Sequence, residues 1–213
     1  CGCICFNIVG VSSLFSDTYN QIKAEKEFNL REKGSKFYAF SYLVRNEEEV
    51  KSKIQYLKSK YPDASHHCYA FVIGQGQEAQ RANDDGEPSK SAGRPILRAM
   101  LSLELTNVLV VVIRYFGGTL LGIPGLIQAY GDAAKGVLVL SGKSEKIQED
   151  EFDISADFEH EQIIHRLIKP FENRIVDRSY TDKVNYRVAI RRNQTVHFEK
   201  EAAEQYQLEV QAV

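Results

Sequence analysis

The stretch that most constrains the fold is VLVVVIRYFGGTLLGIPGLIQAY, residues 108–130. It opens with an unbroken apolar and mostly β-branched run, Val108–Ile113, which predicts a strand buried on both faces. Three glycines follow between residues 117 and 122, where the backbone must turn sharply or approach another segment closely. Pro124 suits the first turn of a helix, so we expect a helix over residues 125–140. A strand, a glycine loop and a helix N-terminus form a geometry that can hold an anion.

Composition places the chain among ordinary globular proteins. It has 213 residues, 43% hydrophobic and 26% charged, which suffices for one large or two small domains. The formal net charge of −2 argues against a strongly basic nucleic-acid binder, although it permits a local basic patch. The sequence has no apolar run of the length that spans a bilayer, so we expect no membrane partner and a cytoplasmic location.

Cysteine usage predicts a reduced intracellular protein. Cys1, Cys3 and Cys5 alternate at the N-terminus, and Cys68 stands alone. This spacing differs from that of a zinc site, so we expect neither a metal nor another cofactor. We predict that residues 1–16 form an extension outside the main fold.

The middle of the chain predicts further strands and helices. The predicted elements before the central strand are strands at 36–44 and 68–74 and helices at 47–60 and 95–105, with a loose strand or loop over 17–33. Residues 75–93 lack apolar periodicity and predict a long loop, which in a compact domain is usually functional or mobile. Residues 141–144, SGKS, have the composition of a linker.

The last third predicts a second domain. Residues 152–158 alternate apolar and polar side chains as a half-buried strand does, and residues 161–171 have helical periodicity. Two further strands, a helix and a last strand complete the order β-α-β-β-α-β of a ferredoxin-like domain. The sequence therefore predicts an α+β protein divided near residues 142–148.

Several phrases in a fixed order resemble one protein family. They are GSKF at 34–37, HHCYA at 66–70, DDGEP at 84–88, AGRP at 92–95, RYFGG at 114–118, LG at 121–122, GL at 125–126 and AY at 129–130. Together they resemble the IMPACT family, and in particular its bacterial, YigZ-like members. The resemblance covers about residues 17–213. The chain departs from the family pattern at Lys90-Ser91, where Gly-Thr is usual, and at Pro124-Gly125, where Gly-Gly is usual.

The resemblance implies a two-domain architecture and a role in translation. It implies a domain like domain 2 of ribosomal protein S5 over residues 17–142 and a ferredoxin-like domain over residues 148–213. This pair is similar to the last two domains of elongation factor G. Eukaryotic relatives regulate translation initiation by competing for the activator of a starvation-responsive kinase. Bacterial members have no agreed biochemical activity, and binding to RNA or the ribosome has been inferred from the fold.

Two groups of residues are candidates for a site. The first could hold phosphate or RNA through backbone N–H groups, cations and a stacking ring, and consists of Lys36, Lys90, Arg94, Arg98, Arg114, Tyr115, Gly117, Gly118 and Gly122. The alternative is that the glycines only permit positive φ and close packing, and that the cations are solvated.

The second group is the acidic loop. It consists of Asp84, Asp85, Gly86, Glu87 and Pro88. A turn and interaction surface is favoured over catalysis, and Glu87 could pin the loop by pairing with Arg94 or Arg114. We predict no catalytic residue and a non-catalytic binding protein that regulates translation through RNA, the ribosome or a protein partner. The alternative is a hydrolase that uses the Asp84–Glu87 loop with His66, His67 or a bound metal. The sequence leaves the oligomeric state open.

Overall fold

The protein combines sheets and helices in two compact units. The structure, a computed structural model, describes residues 17–213, so the predicted extension over residues 1–16 lies outside the described residues. The first unit comprises residues 19–146, and the second comprises residues 147–213 together with Asp17 and Thr18. The expected mixed α/β composition is confirmed. Within residues 17–213 the structure contains no helix of the length and apolarity that a membrane span requires.

The first unit is built on a five-stranded antiparallel sheet. In chain order the elements that lie wholly or mostly in this unit are β1 (Thr18–Ile22), β2 (Lys26–Glu32), β3 (Ser35–Leu43), α1 (Glu47–Lys60), β4 (His66–Ile73), β5 (Ala79–Asn83), α2 (Gly93–Leu101), β6 (Val108–Tyr115), α3 (Gly122–Ser141) and β7 (Lys143–Ile147). The sheet order is β2-β3-β6-β4-β5, and β1 pairs with β7 in a separate two-stranded sheet. The predicted buried strand, β6, is therefore central.

Both faces of β6 are covered, as its uninterrupted apolar run predicts. Val108, Val110 and Val112 pack in the core beneath α2 and α3. Leu109, Val111 and Ile113 pack in a second core beneath α1. Because side chains alternate across a strand, successive residues of β6 belong to opposite layers.

Several predicted boundaries in the first unit were wrong. The loop predicted over residues 75–93 contains β5, which has no apolar alternation and is held through backbone pairing with β4. Helix α2 ends at Leu101, four residues before the predicted end, because the chain turns through Glu104 at a φ of +55°. The predicted linker at 141–144 is the end of α3 followed by β7, and Ser141 is buried against Ser41 with their Oγ atoms 2.7 Å apart.

The second unit has the predicted β-α-β-β-α-β order. Its elements are β8 (Glu149–Ala156), α4 (Glu161–Ile168), β9 (Asn173–Tyr180), β10 (Val184–Arg191), α5 (Thr195–Ala203) and β11 (Glu209–Ala212). The four strands pair antiparallel in the order β11-β8-β10-β9. Its own apolar core includes Phe152, Ile164, Tyr186 and Phe198. Helix α4 ends before Pro170, which cannot donate the next helical hydrogen bond.

Candidate functional site

The glycine loop after β6 packs tightly on the turn before β3. A Cβ atom on Gly117 would lie 1.9 Å from the carbonyl carbon of Gly34, so neither position leaves room for a side chain. The N–H of Gly117 donates to Ser35 Oγ at 3.3 Å. Gly118 and Gly122 have φ values of +85° and +69°, which favour glycine. Close packing and positive φ therefore account for these three glycines without a bound anion.

A buried ion pair lies beneath this loop. Arg114, at the end of β6, donates from Nη1 to Glu87 Oε1 at 2.6 Å, and both side chains are more than nine-tenths buried. Tyr130 of α3 donates from its hydroxyl to the same carboxylate oxygen at 2.8 Å. Arg114 Nη2 also donates to Ser35 Oγ at 3.3 Å. The pair ties the acidic loop, the central strand and α3 together, and Arg114 is one of the two partners that the sequence offered for Glu87.

His66 and Cys68 lie on the same face of β4, next to this pair. His66 Nε2 lies 3.8 Å from Glu87 Oε1. Cys68 Sγ lies 3.0 Å from the carbonyl oxygen of Asp84 and 3.4 Å from the Tyr130 hydroxyl oxygen, and its one S–H can donate to either acceptor. Burial raises the pKa of the Cys68 thiol and of the Tyr130 hydroxyl, and the Glu87 carboxylate acts in the same direction. Both groups therefore stay protonated and are poor nucleophiles.

Asp84 and Asp85 organise the acidic loop itself. The Asp84 carboxylate accepts from the backbone N–H groups of Ala92 and Gly93 at 3.0 and 2.8 Å, at the start of α2. It also accepts from the Lys90 N–H at 2.8 Å. Asp85 accepts from the His67 N–H at 2.8 Å and pairs with Lys58 of α1 at 3.3 Å. These carboxylates act as internal acceptors that fix the loop.

Backbone angles show where the acidic loop favours glycine. Lys90 has a φ of +67°, in the left-handed region where an L-residue carries strain and glycine does not. The resemblance described above implies a glycine at this position, and the positive φ is a physical reason for one. Gly86, with a φ of +88°, meets the same requirement within the loop.

An apolar cleft opens above the buried pair. It has a volume of about 440 Å³, and His66, Glu87 and Arg114 lie on its lining together with Pro88. Its rim is apolar and exposed: Phe116, Leu120 and Ile123 are 50%, 84% and 54% accessible. The Arg114 guanidinium lies 5.6 Å from the centre of the Phe116 ring. Such a cleft suits an apolar group better than a row of phosphates.

The structure brings only some of the predicted anion-site residues together. Arg114 is buried and paired, so its charge faces Glu87. Tyr115 points to the opposite face of the sheet, where it packs edge-on against Tyr38 with ring centres 5.9 Å apart. Lys36 is exposed on β3 opposite Tyr115, and Lys90 is exposed in the acidic loop. Arg94 and Arg98 are exposed on α2.

The residues of the predicted hydrolase site are also divided. His66 and Glu87 share the cleft, but His67 and the Asp85 carboxylate lie towards α1. Within residues 17–213 no group of three or more His, Cys, Asp or Glu side chains is placed to hold a metal ion.

Sequence reasoning missed Tyr130, Leu120 and Ile123 as parts of the site. Tyr130 occupies an inward position of α3 with its hydroxyl buried, which calls for a polar partner. Leu120 and Ile123 gave no signal because apolar residues around a helix start are usually buried.

Comparisons with known proteins agree with this architecture. The model of the Impact N-terminal domain matches residues 33–138. The chain is 32% identical over 181 residues to the IMPACT family member YvyE of Bacillus subtilis, covering 85% of this chain and 83% of that protein. It is 29% identical over 174 residues to YigZ of Escherichia coli, covering 81% and 85% of the two chains. A crystal structure described as that of a hypothetical protein superposes with a TM-score of 0.67 at 26% identity, covering 93% of this chain and 98% of its own.

The fold and site define a two-unit mixed α/β protein in which an apolar cleft lies over a buried ion pair. The chain belongs to the IMPACT family.

Proposed function

We propose that this chain is a non-catalytic binding protein that regulates translation by docking a translation-related protein or the ribosome. The docking surface is the apolar face, defined as Phe116, Leu120, Ile123 and Ile127. In this proposal residues 17–142 form a domain like domain 2 of ribosomal protein S5, and residues 148–213 form a ferredoxin-like domain. The antiparallel order β11-β8-β10-β9 supports the second assignment.

One observation carries the proposal, namely the exposure of the apolar face. Its four side chains are between 38% and 84% accessible. Phe116, Leu120 and Ile123 line the cleft, and Ile127 lies one helical turn beyond Ile123. Contiguous exposed apolar surface on a globular protein marks an interaction site, because leaving it in water costs free energy. The buried Arg114–Glu87 pair beneath it fixes the shape of the cleft floor.

The family supports the choice of translation. The resemblance described above implies that eukaryotic IMPACT proteins regulate translation initiation through a protein partner. RNA or ribosome contact in this chain would involve the exposed cations Lys36, Lys90, Arg94 and Arg98 rather than the buried Arg114. We infer that such contacts accompany docking at the apolar face.

Co-sedimentation with ribosomes and a cell-free translation assay test this proposal. We expect the double variant Leu120→Ser/Ile123→Ser to lose association and to lose its effect on translation. The matched control is Val139→Ser/Leu140→Ser, which changes two apolar residues that are 74% and 53% accessible at the other end of α3. If the wild-type chain neither sediments with ribosomes nor alters translation, the proposal is wrong.

A hydrolase is the second candidate, and one contact favours it. His66 and Glu87 line the same cleft with His66 Nε2 and Glu87 Oε1 3.8 Å apart, near enough for acid–base cooperation after a small movement. Against it, the carboxylate is already held by Arg114 and Tyr130. Turnover in a phosphatase and esterase panel that disappears in His66→Ala would establish the hydrolase.

A further inference from the structure

We propose that the segment which docks on the apolar face is an acidic amphipathic helix of a partner protein. This inference rests on the proposed function, since it names the chemistry of the partner. It follows from the apolar face and from nearby exposed cations, none of which has an ion-pair partner within the first unit.

The apolar residues have the spacing that a helix recognises. Ile123 and Ile127 are one turn apart on α3, and both are exposed on its outer side. Phe116 and Leu120 continue the same surface across the cleft, which has room for a large side chain. An amphipathic helix of a partner carries apolar side chains at positions i, i+3 or i+4, and i+7, and these can pack along such a stripe. We infer that one aromatic anchor enters the cleft and that an aliphatic one lies over Ile127.

Four exposed cations without ion-pair partners in the first unit lie on α2, just before it, or on α3, and two of them share a groove with Ile127. Arg94 is in the first turn of α2, and Lys90 lies shortly before that helix. Arg98 is one turn beyond Arg94. Arg98 and Lys135 line a groove of about 320 Å³ between α2 and α3, which Ile127 also lines. The ion pairs within residues 19–146 involve none of these four side chains. The one carboxylate in the groove, Asp132, accepts a hydrogen bond from Gln128 at 2.6 Å.

This arrangement discriminates among partners by charge. An acidic helix would place carboxylates opposite Arg94, Arg98 and Lys135 while its apolar side meets Ile123 and Ile127. A basic helix would meet like charges, which costs affinity and slows association. An RNA strand would meet the cations but would find mostly aliphatic side chains where bases need aromatic rings to stack. Tyr115 does not supply that ring, because it lies on the opposite face of the sheet.

Fluorescence anisotropy on the full chain tests the inference with defined probes. The probes are three labelled helical peptides of about 15 residues, long enough to form a helix on binding. All three carry Trp and Leu anchors four residues apart, and their flanks are Glu, Gln or Lys. A labelled oligouridine is the RNA probe. We expect the Glu peptide to bind most tightly. Its affinity should fall between about 50 and 200 mM salt, because salt screens the charges.

Two variants separate the contributions. Arg94→Glu/Arg98→Glu should lower the affinity for the Glu peptide by roughly tenfold or more. Ile123→Ser/Ile127→Ser should lower it to a similar extent, because it removes the surface that the peptide's anchors contact. The control Arg45→Glu/Lys51→Glu changes the net charge by the same amount. Arg45 lies just before α1 and Lys51 lies within it, both exposed, and α1 packs on the other face of the sheet. This control should leave binding of the Glu peptide unchanged.

Each outcome decides the inference. Equal binding of the three peptides, or binding that survives both the arginine and the isoleucine variants, overturns it. So does oligouridine binding that depends on Arg94 and Arg98 but not on Ile123 and Ile127, which assigns the surface to RNA. If peptides fail while the apolar-face variants still abolish the effect on translation, only the chemistry of the partner is wrong. If the Glu peptide binds but translation is unaffected, the proposed function is wrong and the inferred chemistry stands.

Discussion

At the scale of single residues, the pairing of Glu87 with Arg114 governs the stability of the cleft floor. Removing one partner leaves a buried charge uncompensated, which typically costs about 3–5 kcal/mol, whereas replacing both with apolar residues of similar volume costs far less. We therefore expect Glu87→Leu and Arg114→Met each to lower the free energy of unfolding sharply. The double variant should recover most of that loss, as measured by urea denaturation in a double-mutant cycle.

The exposed pair between Arg187 and Asp153 is the control for this cycle. Its atoms lie 2.7 Å apart, but the two side chains are 42% and 49% accessible. Asp153→Ala should change the free energy of unfolding by less than about 1 kcal/mol, because water screens exposed pairs. Additive losses in the Glu87→Leu/Arg114→Met double variant would contradict our account of the buried pair.

A second residue, Cys68, makes stability depend on alkaline pH. Burial raises the pKa of its thiol above the usual value of 9.0, so the folded chain keeps this proton while the unfolded chain releases it. The unfolded state is then favoured progressively as pH rises above about 9. Between pH 8 and pH 10 the loss from this group should reach about 1.4 kcal/mol. Urea denaturation at both pH values should show that the free energy of unfolding falls less in Cys68→Ala than in the wild-type chain. Equal falls in the two proteins would contradict the prediction.

At the scale of elements, the glycine loop packs on the turn before β3, and its glycine positions differ in the space they leave for a side chain. Gly117→Ala would place a Cβ atom 1.9 Å from the Gly34 backbone, so the loop and the turn before β3 must separate. Gly118→Ala meets nothing within 4 Å but keeps a φ of +85°, a strain of roughly 1–2 kcal/mol. We expect Gly117→Ala to lower the urea midpoint well beyond Gly118→Ala. Equal midpoints would mean that the loop is held by something other than this contact.

Elements with strong periodicity could be predicted from the sequence, and those held by backbone pairing could not. β6 was predicted because β-branched residues fill both faces, and α1 because Asn46 caps it and accepts from the Glu49 N–H at 2.9 Å. β5 was missed because AQRAN has no apolar alternation and gains its order from pairing with β4. The Glu87–Arg114 pair was among the predicted alternatives, since both charges border predicted turns. The exposed apolar face was not predicted, because sequence alone does not show which side of a helix start remains uncovered.

At the scale of the whole molecule, two separate apolar cores predict two units of unfolding. Leu109 is fully buried beneath α1 in the first unit, and Ile154 is 1% accessible in the core of the second. Truncating a buried leucine or isoleucine to alanine usually costs about 2–5 kcal/mol, and cores that open separately confine that loss to one unit. We expect Leu109→Ala to lower hydrogen-exchange protection in β3, β4 and β6, and Ile154→Ala to lower it in β8 and β10.

Native-state hydrogen exchange resolved by peptide measures both variants against the wild-type chain. The amides of Val108–Tyr115 should therefore keep wild-type protection in Ile154→Ala. Protection lost equally across both units in either variant would show a single cooperative structure.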